Sequence, residues 1–429
     1  MAPQMINIFK ETFEKNSQPN SQERVEFLNE KFDNLYNEKF GSHDHNCNCH
    51  EYQVTDAIFI DAVYSLQKGK CCDDMGINAE HFLFAPIAFL QRMKFLFISL
   101  LHHTFVPSQF KSGFITPLVK DQCGNKASSD NYRGITISPI MSKILEHVLR
   151  ILFCDNLKTS DLQFGFKRKS STIHALHLMK EVVNSYTNSG SSVYMAYLDA
   201  SKAFDRVVHK GLFIKLIERS FPKMIVDLIM TWYSDLQCRV RWGSAFSDWF
   251  SLKVGVRQDG VLSPSFYSLY VDDLILKMKD LKIGCYLCDL FAAIIMYADD
   301  MLILSPTVRG LQTLLLSCQE YCDFWDIKLN PKKSRIMYFG KGYVNLCQVK
   351  LNDRPLELVS TWKYLGVDVK SGRDFSFTCE NSIKKFYRCA NAILRIGGQA
   401  RELALLKLVE SHCLPILTYG GGIVFMFEK

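Results

Sequence analysis

Two stretches of this chain are apolar almost without a break and each ends on acid, a combination that limits the possible folds more than any other feature. Val193-Tyr194-Met195-Ala196-Tyr197-Leu198 stops at Asp199; far downstream, Phe291-Ala292-Ala293-Ile294-Ile295-Met296-Tyr297-Ala298 stops at Asp299-Asp300 before Met301-Leu302-Ile303-Leu304 resumes. A strand with one wet face alternates, whereas a continuous run marks a strand covered on both faces. The first run therefore predicts a buried strand with a carboxylate at its end, and the second a β-hairpin with two acids at its tip. Tight hairpins ordinarily take Asn-Gly or Asp-Gly because their central residues adopt positive φ, and adjacent acids repel. Two readings stand: an ordinary acidic turn, or a site where divalent cations supply the missing positive charge. Mg²⁺ is held by one or two carboxylates plus substrate phosphates, and two such ions stabilise the attacking and leaving oxygens of phosphoryl transfer. On that second reading Asp199, Asp299 and Asp300 are the metal ligands.

Tyr270-Val271-Asp272-Asp273 repeats the Tyr-x-Asp-Asp string in a different context. It follows Ser263-Pro264, a good cap and first-turn pair, and Phe266, Leu269, Tyr270, Leu274 and Met278 mark a helix. Neighbouring helical side chains diverge by about 100°, so these two acids read as a solvated face.

With 429 residues, 48% hydrophobic and 22% charged, the chain has enough apolar content for two or three units with sizeable cores, which excludes disorder, collagen and small disulfide scaffolds. The net charge of +7 is unevenly spread: Lys111 to Lys180 holds 11 Lys and Arg against 5 Asp and Glu, a candidate polyanion-binding face. Fifteen Cys, an odd number, and a start without the basic-then-apolar pattern of a secretory signal point to reduced thiols in an intracellular protein that is not secreted. The longest apolar candidate, residues 82–101, is interrupted by Gln91, Arg92 and Lys94, so it reads as a buried amphipathic helix with no role in a membrane.

The first forty residues carry weak helical periodicity (Ile6, Phe9, Phe13, then Phe27, Leu28, Phe32, Leu35) and predict helices packed on something larger. After them, His43, His45, Cys47, Cys49 and His50 offer zinc-competent groups whose spacing lacks the gaps of zinc modules, which favours a polar surface loop over a metal site. Residues 54–66 read as a helix. Residues 114–120 and 132–138 read as two strands, with Lys120 near the end of one and Arg133 at the start of the other; they are either solvated edge charges or cations meeting one polyphosphate. Beyond a helix at 141–152, Gln163-Phe164-Gly165-Phe166-Lys167-Arg168-Lys169 sets aromatics beside three cations. That is a plausible nucleic-acid strip or a basic loop leading into a helix at 171–185.

Assembled in order, these residues resemble the reverse transcriptase of non-LTR (LINE-like) retrotransposons over about residues 54–419. Seven strings carry the resemblance: Asn131-Tyr132-Arg133-Gly134-Ile135, Gln163-Phe164-Gly165-Phe166, Leu198-Asp199-Ala200-Ser201-Lys202-Ala203-Phe204-Asp205, Gly255-Val256-Arg257-Gln258, Leu262-Ser263-Pro264, Tyr297-Ala298-Asp299-Asp300 and Trp362-Lys363-Tyr364-Leu365-Gly366. The resemblance implies an α+β right-hand polymerase: an N-terminal helical extension over 1–95, fingers over 96–190, a palm over 191–370 whose antiparallel sheet bears the carboxylates and which includes a helix at 264–281, and a shortened helical thumb over 371–429. It implies RNA-directed DNA synthesis on a primer 3′-hydroxyl, with an RNA template, a DNA primer and dNTPs as partners and two Mg²⁺ ions, replaceable by Mn²⁺, as cofactor.

Roles carry over position by position. Asp199, Asp299 and Asp300 match the metal-binding aspartates. Phe204 matches the aromatic gate that crowds a ribose 2′-hydroxyl, and Lys120 and Arg133 match the fingers cations on the incoming triphosphate. Gln258 belongs to the loop framing the nascent base pair, and Lys333 resembles the lysine that protonates leaving pyrophosphate. Lys167, Arg168 and Lys169 would hold template, and Tyr364, Leu365 and Gly366 resemble the turn that seats the primer end.

Three positions depart from the pattern. Asp259 stands where the family has the glycine of Arg-Gln-Gly, placing an anion near phosphates, while Asp73 and Met75 are atypical in Lys70-Cys71-Cys72-Asp73-Asp74-Met75-Gly76-Ile77. These changes suit a decaying copy, so a catalytically impaired remnant that binds RNA is the alternative expectation. An RNA-dependent RNA polymerase is a third reading, which Phe204 argues against. With no endonuclease pattern before Met1 and no Cys/His knuckle near Lys429, the expectation is a polymerase core separated from the parts that nick target DNA.

Overall fold

The computed structural model describes residues 2–41, 53–122, 124–341, 349–397 and 401–419. The His43, His45, Cys47, Cys49 and His50 run lies outside the described residues. The chain forms two units, one of Met1–Thr159, Ser201–Asp273 and Cys322–Lys328, the other of Ser160–Ala200, Leu274–Tyr321 and Leu329–Lys429.

The first unit opens with the expected helices. Ala2–Asn16 and Gln22–Phe40 are joined at Ser21, whose hydroxyl accepts the Arg24 N–H at the start of the second helix. Phe9 and Phe13 pack with Ile115, Tyr132, Cys238, Val240 and Phe250 into one buried cluster. The sheet beneath them orders Tyr132–Ile137, Ser112–Val119 and Gln237–Trp242, the first two antiparallel with Leu118 opposite Arg133. A Cβ on Gly134 would stand 2.8 Å from the Phe13 ring, so glycine at this position admits the helix.

Two expectations need correction here. Residues 82–101 do not form one buried helix: Ala79–Leu83 ends, Pro86 intervenes, and Ile87–His102 begins. Proline disfavours helix in the residue before it, and its fixed φ suits the start of a new one. Only Leu90, Phe97, Leu100 and Leu101 of the longer helix are buried, while Phe84, Ile87, Phe89, Phe95 and Leu96 are exposed. Among the described residues no helix is long and apolar enough to cross a membrane.

The second correction concerns Asp272 and Asp273. They do lie on a helix, Ser263–Asp280, but not on a solvated face: Asp272 is 2% exposed. Its Oδ2 accepts from Arg219 Nη2 at 2.5 Å, and Asp273 accepts from Lys215 Nζ and, at 3.4 Å, from the same Arg219. Lys215 sits in helix His209–Glu218 and Arg219 caps that helix, and the Lys215 ammonium lies 4.0 Å from the centre of the Trp325 ring. A buried charge persists only when paired, and the helix end supplies both cations.

The second unit is built on a five-stranded sheet in the order Glu357–Leu358, Arg335–Phe339, Val193–Asp199, Asp300–Ser305, Ile294–Tyr297. The Val193 strand is central and antiparallel to both neighbours. Its Val193 and Met195, with Leu302, Leu304, Met337 and Phe339, pack against Ala175, Leu176, Met179, Val182 and Val183 of helix Thr172–Asn188. Ala196, Leu198, Met301 and Ile303, which point the other way, are also buried. Covering on both faces is why the two runs read as continuous. A three-stranded antiparallel sheet follows (Thr361–Tyr364, Val367–Lys370, Ser376–Thr378), then helices Glu380–Ile396, Glu402–Leu408 and Leu414–Thr418.

Candidate active site

The register of the central strands decides the site. Asp300 is the direct partner of Asp199, and the pairing continues through Met301 and Leu198 to Ser305 and Tyr194. Side chains directly opposite on one face lie about 4.5–5.5 Å apart at Cβ, so these two carboxyls share one face where two inner strands end. Tyr197, two residues before Asp199, shares that face by the period of two. Its hydroxyl donates to Asp300 Oδ1.

The hairpin differs in detail from the expected acidic tip. Asp300 pairs with Tyr297, so the two turn residues are Ala298 and Asp299, and Asp300 already belongs to the strand. Positive φ falls on Ala298 (+58°) and not on either acid. Positive φ at the first central residue alone is the pattern of a II′ turn, which tracks the strand twist and usually takes glycine there.

The electrostatics follow from this crowding. Burial, opposed by Lys333, holds the Asp199 carboxyl above its ordinary range. Burial likewise raises Asp300, the Tyr197 hydrogen bond pulling it back and the Asp199 charge adding to the rise. The Tyr197 hydroxyl is pushed up by burial and then by the charges of Asp300, Asp199 and Asp299, so one side chain senses all three acids. Lys333 Nζ lies 3.8 Å from Asp199 Oδ2 on a side chain 69% exposed. Asn330 N–H donates to the Asp199 carbonyl at 2.9 Å, and Ser334 Oγ accepts from the Asp199 N–H at 3.4 Å, so the loop bearing Lys333 is tied to the end of the strand.

Among the described residues no group of three or more His, Cys, Asp or Glu side chains forms a ready-made ion cage. The donor set nevertheless suits a hard divalent cation: oxygen ligands only, with Asp199 directly opposite Asp300, Asp299 in the adjoining turn and the exposed Lys333 beside Asp199. Mg²⁺ typically takes one or two carboxylates and completes its shell with water and phosphate rather than an all-protein cage.

The remaining expected residues divide between the units. In the second, Tyr364 is 2% exposed and part of the core, its hydroxyl without a hydrogen-bond partner. Leu365 and Gly366 form the turn itself, both at positive φ. A Cβ on Gly366 would meet the Tyr419 ring at 2.5 Å, and the Tyr419 hydroxyl donates to the Leu365 carbonyl at 3.0 Å. Arg168 and Lys169 are exposed, whereas Lys167 is half-buried, bonded to the Ser160 carbonyl and 4.0 Å from Asp161.

In the first unit, Phe204 opens a short 3₁₀ turn and stacks on Tyr267, centroids 4.9 Å apart. Gln258 Nε2 donates to Asp205 Oδ1 at 2.6 Å and its carbonyl accepts from Thr136 N–H at 3.0 Å, which fixes its loop against the sheet. Lys120 Nζ donates to the Asp130 carbonyl at 2.9 Å, and Arg133 is exposed. Asp259 sits at φ +78°, its side chain 61% exposed and 3.9 Å from Lys143. Asp73 is well accommodated. Its Oδ1 accepts from the Met75 and Ile77 N–H groups at 3.0 and 2.9 Å, and Oδ2 from Ile140 N–H at 3.0 Å at the start of helix Ile140–Leu152. Met75 is exposed.

Residues 124–369 match the family described as reverse transcriptase (RNA-dependent DNA polymerase). The chain belongs to that family. Its fold is the α+β right-hand polymerase fold, and reverse transcriptases use divalent metal ions. The RNA-directed DNA polymerase from mobile element jockey of Drosophila melanogaster is 25% identical over 348 residues, 78% of this chain and 37% of that one. The probable RNA-directed DNA polymerase from transposon BS of the same species is 25% identical over 352 residues, 78% of this chain and 38% of that one. The chain thus spans less than two-fifths of the length of these relatives. Among solved structures, apo telomerase from Candida tropicalis aligns with a TM-score of 0.46 at 10% identity, covering 79% of this chain and 63% of that one.

The sequence alone missed two residues of this site. Tyr197 could have been found, because a polar group two places before a strand-end acid shares its face. Gln163 could not: it was read as part of a nucleic-acid strip, yet it is fully buried and bonded to Ala298, and a contact across 135 residues leaves no local pattern.

Proposed function

We propose that this chain is the RNA-directed DNA polymerase core of a non-LTR retrotransposon, transferring deoxynucleotides to a primer 3′-hydroxyl on an RNA template. The observation that carries the reading is the direct opposition of Asp199 and Asp300 on one face, with Asp299 in the adjoining turn. Asp199, Asp299 and Asp300 would hold Mg²⁺, or Mn²⁺ in its place. When bound, the ions supply the charge that favours in-line attack on the α-phosphorus and that stabilises the leaving pyrophosphate.

The chain's own groups do the rest. Lys333, tied to the end of the Asp199 strand, holds the proton for the departing pyrophosphate. Phe204, stacked on Tyr267, crowds the sugar 2′ position, and Gln258, held by Asp205, borders the nascent pair. Lys120 and Arg133 face the triphosphate, while Arg168 and Lys169 meet the template backbone. In this reading residues 96–190 serve as fingers, 191–370 as palm and 371–429 as thumb.

A second reading has one observation in its favour. Asp259 adds negative charge at a left-handed position suited to glycine, so a remnant that binds RNA with little synthesis is the alternative. Both are tested by dNTP incorporation on a primed RNA with the purified chain, alongside Asp259→Gly and Asp299→Asn. Incorporation by the chain and its loss in Asp299→Asn, with an unchanged circular dichroism spectrum, are expected. Incorporation rescued only by Asp259→Gly selects the remnant, and none in either protein rejects the enzyme. Preference for rNTP over dNTP would select an RNA polymerase instead.

A further inference from the structure

The turn that carries the acids is itself unusual. Ala298 occupies a left-handed position that glycine would fill without penalty, and both acids follow it immediately, so whatever fixes Ala298 also fixes where their carboxyls point. The segment beside it does the fixing. Met296 N–H donates to the Leu162 carbonyl at 2.9 Å and Phe164 N–H to the Met296 carbonyl at 2.8 Å, so residues 162–164 run as a parallel bridge along the outer strand of the hairpin. Between them Gln163, 0% exposed, turns its amide onto the turn. Its Oε1 accepts from Ala298 N–H at 3.0 Å and from Gly165 N–H at 2.9 Å, and its Nε2 donates to the Ala298 carbonyl at 3.4 Å. A Cβ on Gly165 would stand 2.3 Å from Ala298 N, so this approach requires glycine.

We infer that Gln163, seated by Gly165, is a positioning residue that clamps the Ala298–Asp299 turn and so aims the catalytic carboxylates. The inference rests on the polymerase reading only for its catalytic consequence. A fully buried amide with its oxygen doubly engaged cannot read a template base; it acts through the turn. Displacing catalytic groups by about 1 Å costs on the order of 100-fold in rate, and removal of an unreplaced partner from a buried N–H loosens the backbone that carries it.

The test uses the full chain, with Gln163→Met, which keeps length and loses all three bonds, and Gly165→Ala, which presses on the turn from the same side. Three quantities are read: deuterium exchange of the peptide spanning 296–301, Mn²⁺ affinity by electron paramagnetic resonance, and kcat and KM for dNTP on primed RNA. Expected for both variants are faster exchange confined to that peptide, weaker Mn²⁺ binding, and kcat lower by about 100-fold with KM within about threefold. A purely structural role would instead speed exchange across the unit and lower kcat only as far as the folded fraction falls. That outcome, unaltered exchange at 296–301, or unaltered kcat despite faster exchange overturns the clamp. If Gln163→Met fails to fold, Gly165→Ala decides. If the unmodified chain incorporates nothing, the polymerase reading fails by itself, and exchange with Mn²⁺ affinity still decides the clamp, equal affinities overturning it.

Discussion

Replacing Asp272 by Asn removes one charge from a buried network and leaves its volume intact. Breaking a buried pair by neutralising one partner costs about 3–5 kcal/mol, because the other charge stays behind. Arg219 retains 27% exposure and a second carboxylate at 3.4 Å in Asp273, which places the cost at the lower end, about 3 kcal/mol. With a urea m-value of about 3 kcal/mol per molar, the unfolding midpoint falls by about 1 M. Asp273→Asn should cost less. It leaves Lys215 with Glu218 at 3.2 Å and the Trp325 ring at 4.0 Å, and Arg219 with Asp272, so the bond from Lys215, about 1.5 kcal/mol, is the main loss beside the long 3.4 Å contact to Arg219, and the midpoint moves by about 0.5 M. The assay is urea unfolding followed by tryptophan fluorescence, with primer extension per folded molecule as a control that stays unchanged. Midpoint shifts below about 0.2 M in both variants would place the acids among surface pairs worth little and refute the buried network.

Three further outcomes are expected. Asp259→Gly relieves left-handed strain of about 1 kcal/mol but frees the unfolded chain by a similar amount; its melting temperature therefore stays within a few degrees, while dNTP KM falls about fivefold as like-charge repulsion of about 1 kcal/mol is removed. A KM at or above that of the unmodified chain would mean that the Asp259 charge does not reach the triphosphate. Arg168→Ala with Lys169→Ala should lower the salt slope of single-stranded RNA binding by about 1.4, and adding Lys167→Ala should change it little, since Lys167 is engaged within its own loop; an unchanged slope in the double variant removes both cations from the binding face. Burial draws His147 and His209 down to about 4, so both stay neutral in the folded chain and charge on unfolding near 6.5. Stability they support above 6.5 is lost as pH falls toward 4, about 1.4 kcal/mol each at pH 5.5; the melting temperature of His147→Gln/His209→Gln should drop less between pH 7.5 and 5.5 than that of the unmodified chain, and equal drops would show imidazoles that protonate freely in the fold.

The strands bearing Asp199 and Asp300 were legible because burial on both faces leaves a composition no other element has. Helix Ser263–Asp280 was legible for a similar reason, its cap and periodicity being local. What escaped the sequence was long-range. Asp272 and Asp273 looked solvated because their cations lie more than fifty residues away on another helix, and Gln163 was grouped with Lys167 because adjacency in the chain was the only relation available. The break at Pro86 was written in the sequence, yet the apolar content around it outweighed the proline. The exact tip of the hairpin depended on which residue took positive φ, and no composition rule assigns that to alanine; the glutamine bonded to Ala298 comes from 135 residues away. Tyr364 resembles part of a primer-seating turn, yet it ends the strand Thr361–Tyr364 with its side chain in the core.

The one-to-one pairing of Asp199 with Asp300 also sets what kinds of genetic change this sheet can absorb. A residue exchanged in either strand leaves the phase between them intact, whereas a codon gained or lost between Tyr194 and Leu198 would rotate one acid to the opposite side and part it from its counterpart. Lineages descended from this chain should therefore tolerate drift in the letters of these strands far better than drift in their length.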